Sequence, residues 1–267
     1  MNDLQSLTHL LRWYIAMGAD EAIADAPVDR LAPAQTQPKP AAPPPPLMPS
    51  AQRAAAAAPP SREAPGAAGA HRLAAGATTL AELEAAVRAF EGCALKRTAT
   101  NTVFADGVPD APLMVIGEAP GADEDRLGRP FVGRAGQMLD RMLAAIGFDR
   151  RKNAYITNVL FWRPPGNRKP TDEEIAACLP LVRRHIALLA PKAVLLCGGT
   201  ATTALLGRAE GITRLRGRWF DLEAEGLSGP VPALATYHPS FLLRAPARKN
   251  EAWRDLLALQ SKLRDGQ

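Results

Sequence analysis

Two rhythms of apolar and polar positions alternate along most of this chain. Four short runs are apolar at nearly every position: Leu113–Ile116, Ala154–Val159, Ala193–Cys197 and Ala233–Tyr237. Such runs predict strands buried on both faces, which is the habit of parallel sheets under helices. Between and after them the apolar residues recur at helical spacing, over Gln137–Ile146, Asp172–Leu189, Thr200–Leu206 and about Asn250–Leu263. Thr79 is placed to cap a further helix through Leu83, Val87 and Phe90. Strands alternating with helices predict an α/β domain over residues 78–267, roughly 190 residues and ample for one core.

Upstream the pattern breaks. Over residues 1–25, Leu4, Leu7, Leu11 and Tyr14 share one face of an expected helix spanning residues 3–18, with Asn2 or Asp3 at its cap. Such a helix could dock on the domain, dimerise, or bind a protein partner from a tether, and the residues do not choose. Residues 26–77 are mostly Ala, Pro, Gly and Gln, with too little to bury, and read as a disordered linker with stiff polyproline patches. A monomer is expected.

The formal charge of +5 suits an anionic partner without demanding one. No apolar stretch is long enough for a bilayer, and no basic n-region with a cleavage site opens the chain. Three cysteines, Cys93, Cys178 and Cys197, are too few for a disulfide framework and fit a reducing cytoplasm.

Chemistry concentrates in loops that leave the carboxyl ends of the expected strands, where open α/β sheets hold ligands. After Ile116 comes Gly117-Glu118-Ala119-Pro120-Gly121, then Asp123-Glu124-Asp125 and Arg129-Pro130-Phe131-Val132-Gly133; His238-Pro239 follows the last run. This is no Walker loop, since no Lys lies between Gly117 and Gly136. Nor is it a dinucleotide fingerprint, because the second glycine is missing.

Taken together, the segments Gly117–Gly121, Glu124-Asp125, Gly128–Gly133 and Ala135-Gly136 resemble the first motif of the family 4 uracil-DNA glycosylases. Ile156-Thr157-Asn158 with Arg163–Arg168 resembles the middle motif, and His238–Arg244 the last. The likeness runs from about Leu83 to the C-terminus. It implies a three-layer α/β/α sandwich on a four-stranded parallel sheet. The activity implied is base flipping and hydrolysis of the uracil–deoxyribose bond in DNA, with free uracil as product and an abasic site left uncut, since no matched position offers a Lys nucleophile.

Implied roles follow. Phe131 stacks on the flipped base, and Asn158 pairs with uracil N3–H and O4, a pattern cytosine reverses. Glu124 crowds the C5 edge against a thymine methyl. His238 donates to uracil O2, with backbone N–H groups around Glu118 and Ala119 on the same edge. Asn167 positions water, with Glu118 or Asp123 as alternatives, because Ala119 stands where better-known relatives carry Asp. Leu242 is the wedge that fills the vacated stack. Arg163, Arg168, Arg244, Arg248 and Lys249 meet phosphates, and Arg214, Arg216 and Arg218 are as readily a solvated face. A relative for hypoxanthine or xanthine, or a silent DNA-binding relative, is the competing reading.

The family also implies a four-iron, four-sulfur cluster on four cysteines. At those positions this chain has Phe90, Cys93, Trp162 and Cys178. Neither ring can ligate iron, so no cluster and no other cofactor is expected, with Phe90 and Trp162 filling the volume instead. Cys197 reads as a small core residue.

Overall fold

In the computed structural model of the protein, residues 66–265 are described. The helix expected over residues 3–18 and residues 26–65 of the expected linker lie outside the described residues. The apolar runs form the central strands: β2 (Leu113–Gly117), β3 (Ala154–Asn158), β4 (Ala193–Cys197) and β6 (Val231–Thr236). Side chains alternate across the sheet. Met114, Ile116, Val194 and Leu196 face one core, while Leu113, Val115, Leu195 and Leu234 face the other. With helices on both faces, neither side of these strands needs to be polar.

The sheet is wider than the four-stranded one implied by the resemblance. Among the described residues it has six strands in the order β1-β3-β2-β4-β6-β5. The inner four are parallel, but β1 (Asp106–Gly107) and β5 (Trp219–Leu222) add antiparallel edges. Two residues with a glycine, and a half-exposed edge strand, leave no periodic signal to read.

On the first face lie α1 (Ala67–Gly76), α2 (Leu80–Ala89) and α5 (Asp172–Leu189), joined by α6 (Gly199–Leu206). Thr79 caps α2 as expected, accepting from Glu82 N at 3.2 Å. Thr171 and Glu174 form a reciprocal capping box at the start of α5. The second face carries α4 (Arg134–Ala145), α8 (Pro239–Arg244) and α9 (Lys249–Asp265), while α3 (Ala122–Leu127) and α7 (Ile212–Leu215) are short turns. No helix among the described residues is long and apolar enough to cross a membrane.

Helix α1 corrects the expected linker boundary at residue 77. Its alanines are the reason it was illegible, and also the reason it packs. Ala67, Ala70 and Ala74 are buried, and a Cβ at Gly66 would stand 2.2 Å from Gly92 O. Small residues let the backbone come close enough to cover Phe90, whose Cε2 lies 3.6 Å from where a Gly69 Cβ would be. Arg184 Nε ties off the segment on Ala77 O at 2.9 Å. A chain starting at Thr78 should therefore lose about 2 kcal/mol of buried contact. Its thermal midpoint should fall by about 4–8 °C relative to the full chain; equal midpoints would show that α1 is dispensable.

Candidate active site

The parallel pairing of β2 with β3 sets Gly117 opposite Asn158 at the carboxyl ends of the strands. The next parallel strands deliver Gly198 and His238 to the same end, where Gly198 N donates to Thr236 O at 2.9 Å. Because β3 lies on one side of β2 and β4 on the other, the loops diverge there and leave a crevice. The resulting cleft has a volume of about 480 Å³. It is lined by Glu118, Ala119, Glu124, Phe131, Asn158, Asn167, Arg168, His238 and Arg244, among others. Residues from four distant stretches thus share one cavity.

Three groups define its floor. Phe131 and His238 have ring centroids 5.6 Å apart. Asn158 is 1% exposed, and its Oδ1 is buried without a hydrogen-bond partner among the described residues. A buried acceptor left unmet costs free energy unless a ligand supplies the donor. A Cβ at Gly117 would lie 2.4 Å from that Oδ1 and 2.5 Å from Phe131 Cζ, so only glycine lets amide and ring converge.

The imidazole is held in one tautomer. Ser240 N donates to His238 Nδ1 at 3.2 Å, so Nδ1 carries no proton and the hydrogen of the neutral ring sits on Nε2. Ser240 Oγ is also 2.8 Å from Nδ1. Burial, with the Arg244 charge nearby, lowers the pKa to about 4, leaving a neutral donor at physiological pH.

The acidic segment is mostly scaffolding. Glu124 Oε1 accepts from Val132 N and Gly133 N at 2.9 Å each, and Oε2 from Gly121 N at 3.1 Å. Asp125, also buried, accepts from Thr100 N and Asn101 N at 2.8 and 3.1 Å. Both sit in the first turn of α3, where the helix favours negative charge. Glu118 does face the cleft, its Oε2 accepting from Thr200 Oγ1 at 2.5 Å.

Several expected residues fall elsewhere. Asp123 is exposed, pairs with Arg126 at 3.5 Å and does not line the cleft, so it is not placed to handle water there. Leu242 is 1% exposed in the core between α4 and α9, which corrects its expected role as a wedge. The spacing from His238 was right for a loop, but α8 turns that side chain inward. Arg248 pairs with Glu251, and Lys249 borders a different groove, beside Trp253. Arg216 is structural, bound to Asp255 and Glu251. Arg168 and Arg244 stand at the cleft, and Arg163 is fixed beside it by Nε donating to Asn167 Oδ1 at 2.7 Å. Sequence reasoning missed the supports Thr200 and Ser240; the Gly198-Gly199-Thr200 turn after a buried strand was the available signal.

The positions expected for cluster ligands do not fit a cluster. Phe90 and Trp162 pack with centroids 6.3 Å apart, and Trp162 Nε1 donates to Thr102 Oγ1 at 3.1 Å. Cys93 and Cys178 are buried free thiols in contact with each other. The hydrogen bond between them, with burial, raises the Cys178 pKa, while the same bond lowers that of Cys93. Among the described residues no group of three or more His, Cys, Asp or Glu is arranged for a metal.

A doubly wound α/β domain whose crevice offers a flat ring, an unmet amide and a neutral imidazole has the makings of a nucleobase pocket. Residues 104–257 match the family described as the uracil DNA glycosylase superfamily, to which the chain belongs. It is 38% identical over 181 residues to a type-4 uracil-DNA glycosylase of Pyrobaculum aerophilum, covering 66% of this chain and 91% of that relative. It is 40% identical over 172 residues to one from Thermotoga maritima, covering 64% and 85%. A third, from Archaeoglobus fulgidus, is 39% identical over 163 residues, covering 60% and 80%.

The His238 environment makes a pH prediction. Its ring should titrate near pH 4 by NMR rather than at the ordinary 6.5. As pH falls from about 6.5 to about 4, the unfolded chain takes up a proton that the folded one refuses, so this group erodes stability across that window. A midpoint of 6 or above would mean the ring is not shielded.

Proposed function

We propose that the chain hydrolyses the bond between N1 of uracil and C1′ of deoxyribose in DNA. It releases free uracil and leaves an uncut abasic site, without a metal cofactor. The observation that carries the reading is the orphaned Asn158 Oδ1 in a cleft it shares with Phe131 and His238. Names of relatives, type-4 uracil-DNA glycosylases, point the same way.

A flipped uracil offers an N3–H donor to Asn158 Oδ1 and an O4 acceptor to its amide hydrogens. Cytosine presents an acceptor at N3 and a donor at N4, mispairing both. The base stacks on Phe131, a contact indifferent to hydrogen bonding. Glu124, with both oxygens committed to backbone N–H groups, is a rigid wall rather than a flexible chain, which suits exclusion of a C5 methyl.

As the glycosidic bond breaks, negative charge grows on the departing base. His238 meets it at O2 with the Nε2 hydrogen and loses no proton in doing so, because the ring is already neutral. Such a preorganised donor is worth about 3 kcal/mol in the transition state. Of the acids considered for water, Glu118 keeps the role, its carboxylate oriented by Thr200; Asn167 lines the same cleft. Among the described residues no Lys lines the cleft, which supports simple hydrolysis over Schiff-base chemistry. Arg168 and Arg244 are placed for phosphates at the rim, with Arg163 beside them. The buried free thiols suit a reducing cytoplasm as the place of work.

An oligonucleotide with a single uracil tests this. Strand scission is expected only after alkali, with no borohydride-trapped adduct. Asn158→Asp should lower kcat/KM on that substrate by about tenfold to a hundredfold. Purified protein should hold no stoichiometric iron, and chelator should leave its rate unchanged. A strand still intact after excess enzyme and then alkali would sink the activity, and a brown iron-loaded protein the cofactor-free part.

A further inference from the structure

Phe131 stands in the left-handed backbone region, φ 52°, which a non-glycine side chain disfavours. The turn is held there from both sides. Glu124 takes the N–H groups of Val132 and Gly133, and a buried guanidinium takes the carbonyls. Arg150 Nη1 donates to Pro130 O at 3.1 Å and Nη2 to Phe131 O at 2.7 Å. The same fork is anchored by Nε to Asp140 Oδ1 and Nη1 to Asp106 Oδ2, both at 2.9 Å. A Cβ at Gly136 would fall 1.8 Å from Phe131 O, so the turn packs directly on the Gly136 backbone.

We propose that Arg150 is a positioning residue for the reaction, fixing the Phe131 ring under the base by locking its backbone. The proposal rests on the stacking role given to Phe131. Arg150 does not line the cleft, so any effect on catalysis passes through the turn. A planar fork reaches two carbonyls and two carboxylates together, which the single ammonium of Lys cannot.

The test is a double-mutant cycle in the full chain on a uracil oligonucleotide, with thermal melts as control. Arg150→Lys keeps the charge facing Asp106 and Asp140. It should lower kcat/KM by about tenfold to a hundredfold, the scale of a misplacement near 1 Å. Added to Phe131→Ala, it should cost no more than about threefold further, because the ring it serves is gone. Should Arg150→Lys not fold, Asp140→Asn frees the guanidinium from a half-exposed partner, and its loss should vanish in the same background. Multiplying losses, or wild-type rates in the folded variants, would overturn the role of Arg150. A fully active Phe131→Ala would instead remove the stacking role itself, and this proposal with it.

Discussion

The cleft depends on a missing side chain. Strand register puts Gly117 beside Asn158, and the Phe131 ring closes over the same Cα. A single methyl at that point would collide with amide and ring at once. Convergence of chemistry from separate stretches is therefore decided in the sheet, by the pairing of β2 and β3. The loops supply the groups, but the strand pairing sets the distance between them. This is why the cleft belongs to the carboxyl end of the sheet and not to any one loop.

Charge in the first motif does two jobs that look contradictory from composition alone. A run of carboxylates beside a polyanion's cleft should repel it. Burial resolves the conflict: Glu124 and Asp125 spend their oxygens on backbone N–H groups at the start of α3 and around the Phe131 turn. A carboxylate bound this way acts as a brace, rigid because moving it strands several donors at once. Glu118 is the exception that faces the cleft, and it too is held, by a hydroxyl from the next loop. The positive charges at the cleft, Arg244 on α8 and Arg168 on the loop before α5, lie away from these braces.

The α/β class was legible because the central strands are covered on both faces, and such strands are apolar at nearly every position. Helix α5 was legible to its end residues, since Thr171 and Glu174 write a capping box and the next strand begins just beyond. The edges β1 and β5 were not, because an edge strand needs only one set of partners and little apolar content. Helix α1 hid behind its composition: alanine-rich sequence reads as filler until something close-packed lies opposite. For the cleft, the residue types at strand ends were readable one by one, and Phe131, Asn158 and His238 do meet. Leu242 was misplaced because spacing along a loop says nothing of which way a short helix turns its side chains. Ser240 and Arg150 hold other residues, a kind of contact with no signature along a chain, and for Thr200 the only signal was the Gly198-Gly199 turn before it.

The aromatic filling around Cys93 and Cys178 bears on how the domain is held together. Four thiolates on one cluster would tie the segment after α2 to the loop after β3 and to α5. Here the same three elements meet through Phe90, Trp162 and a thiol pair, and α1 lies over Phe90 as a lid. A metal staple is strong but conditional on iron and on the state of its ligands. A ring cluster is weaker per contact, acts through area, and so needs cover on every side. That requirement accounts for the close backbone approach of Gly66 to Gly92 and for the hydrogen bond that fixes the Trp162 indole on Thr102. Remote as it is from the cleft, this packing anchors the start of the Arg163–Arg168 loop, because Trp162 is its immediate neighbour in the chain. One edge of the cleft is thus steadied by an aromatic core.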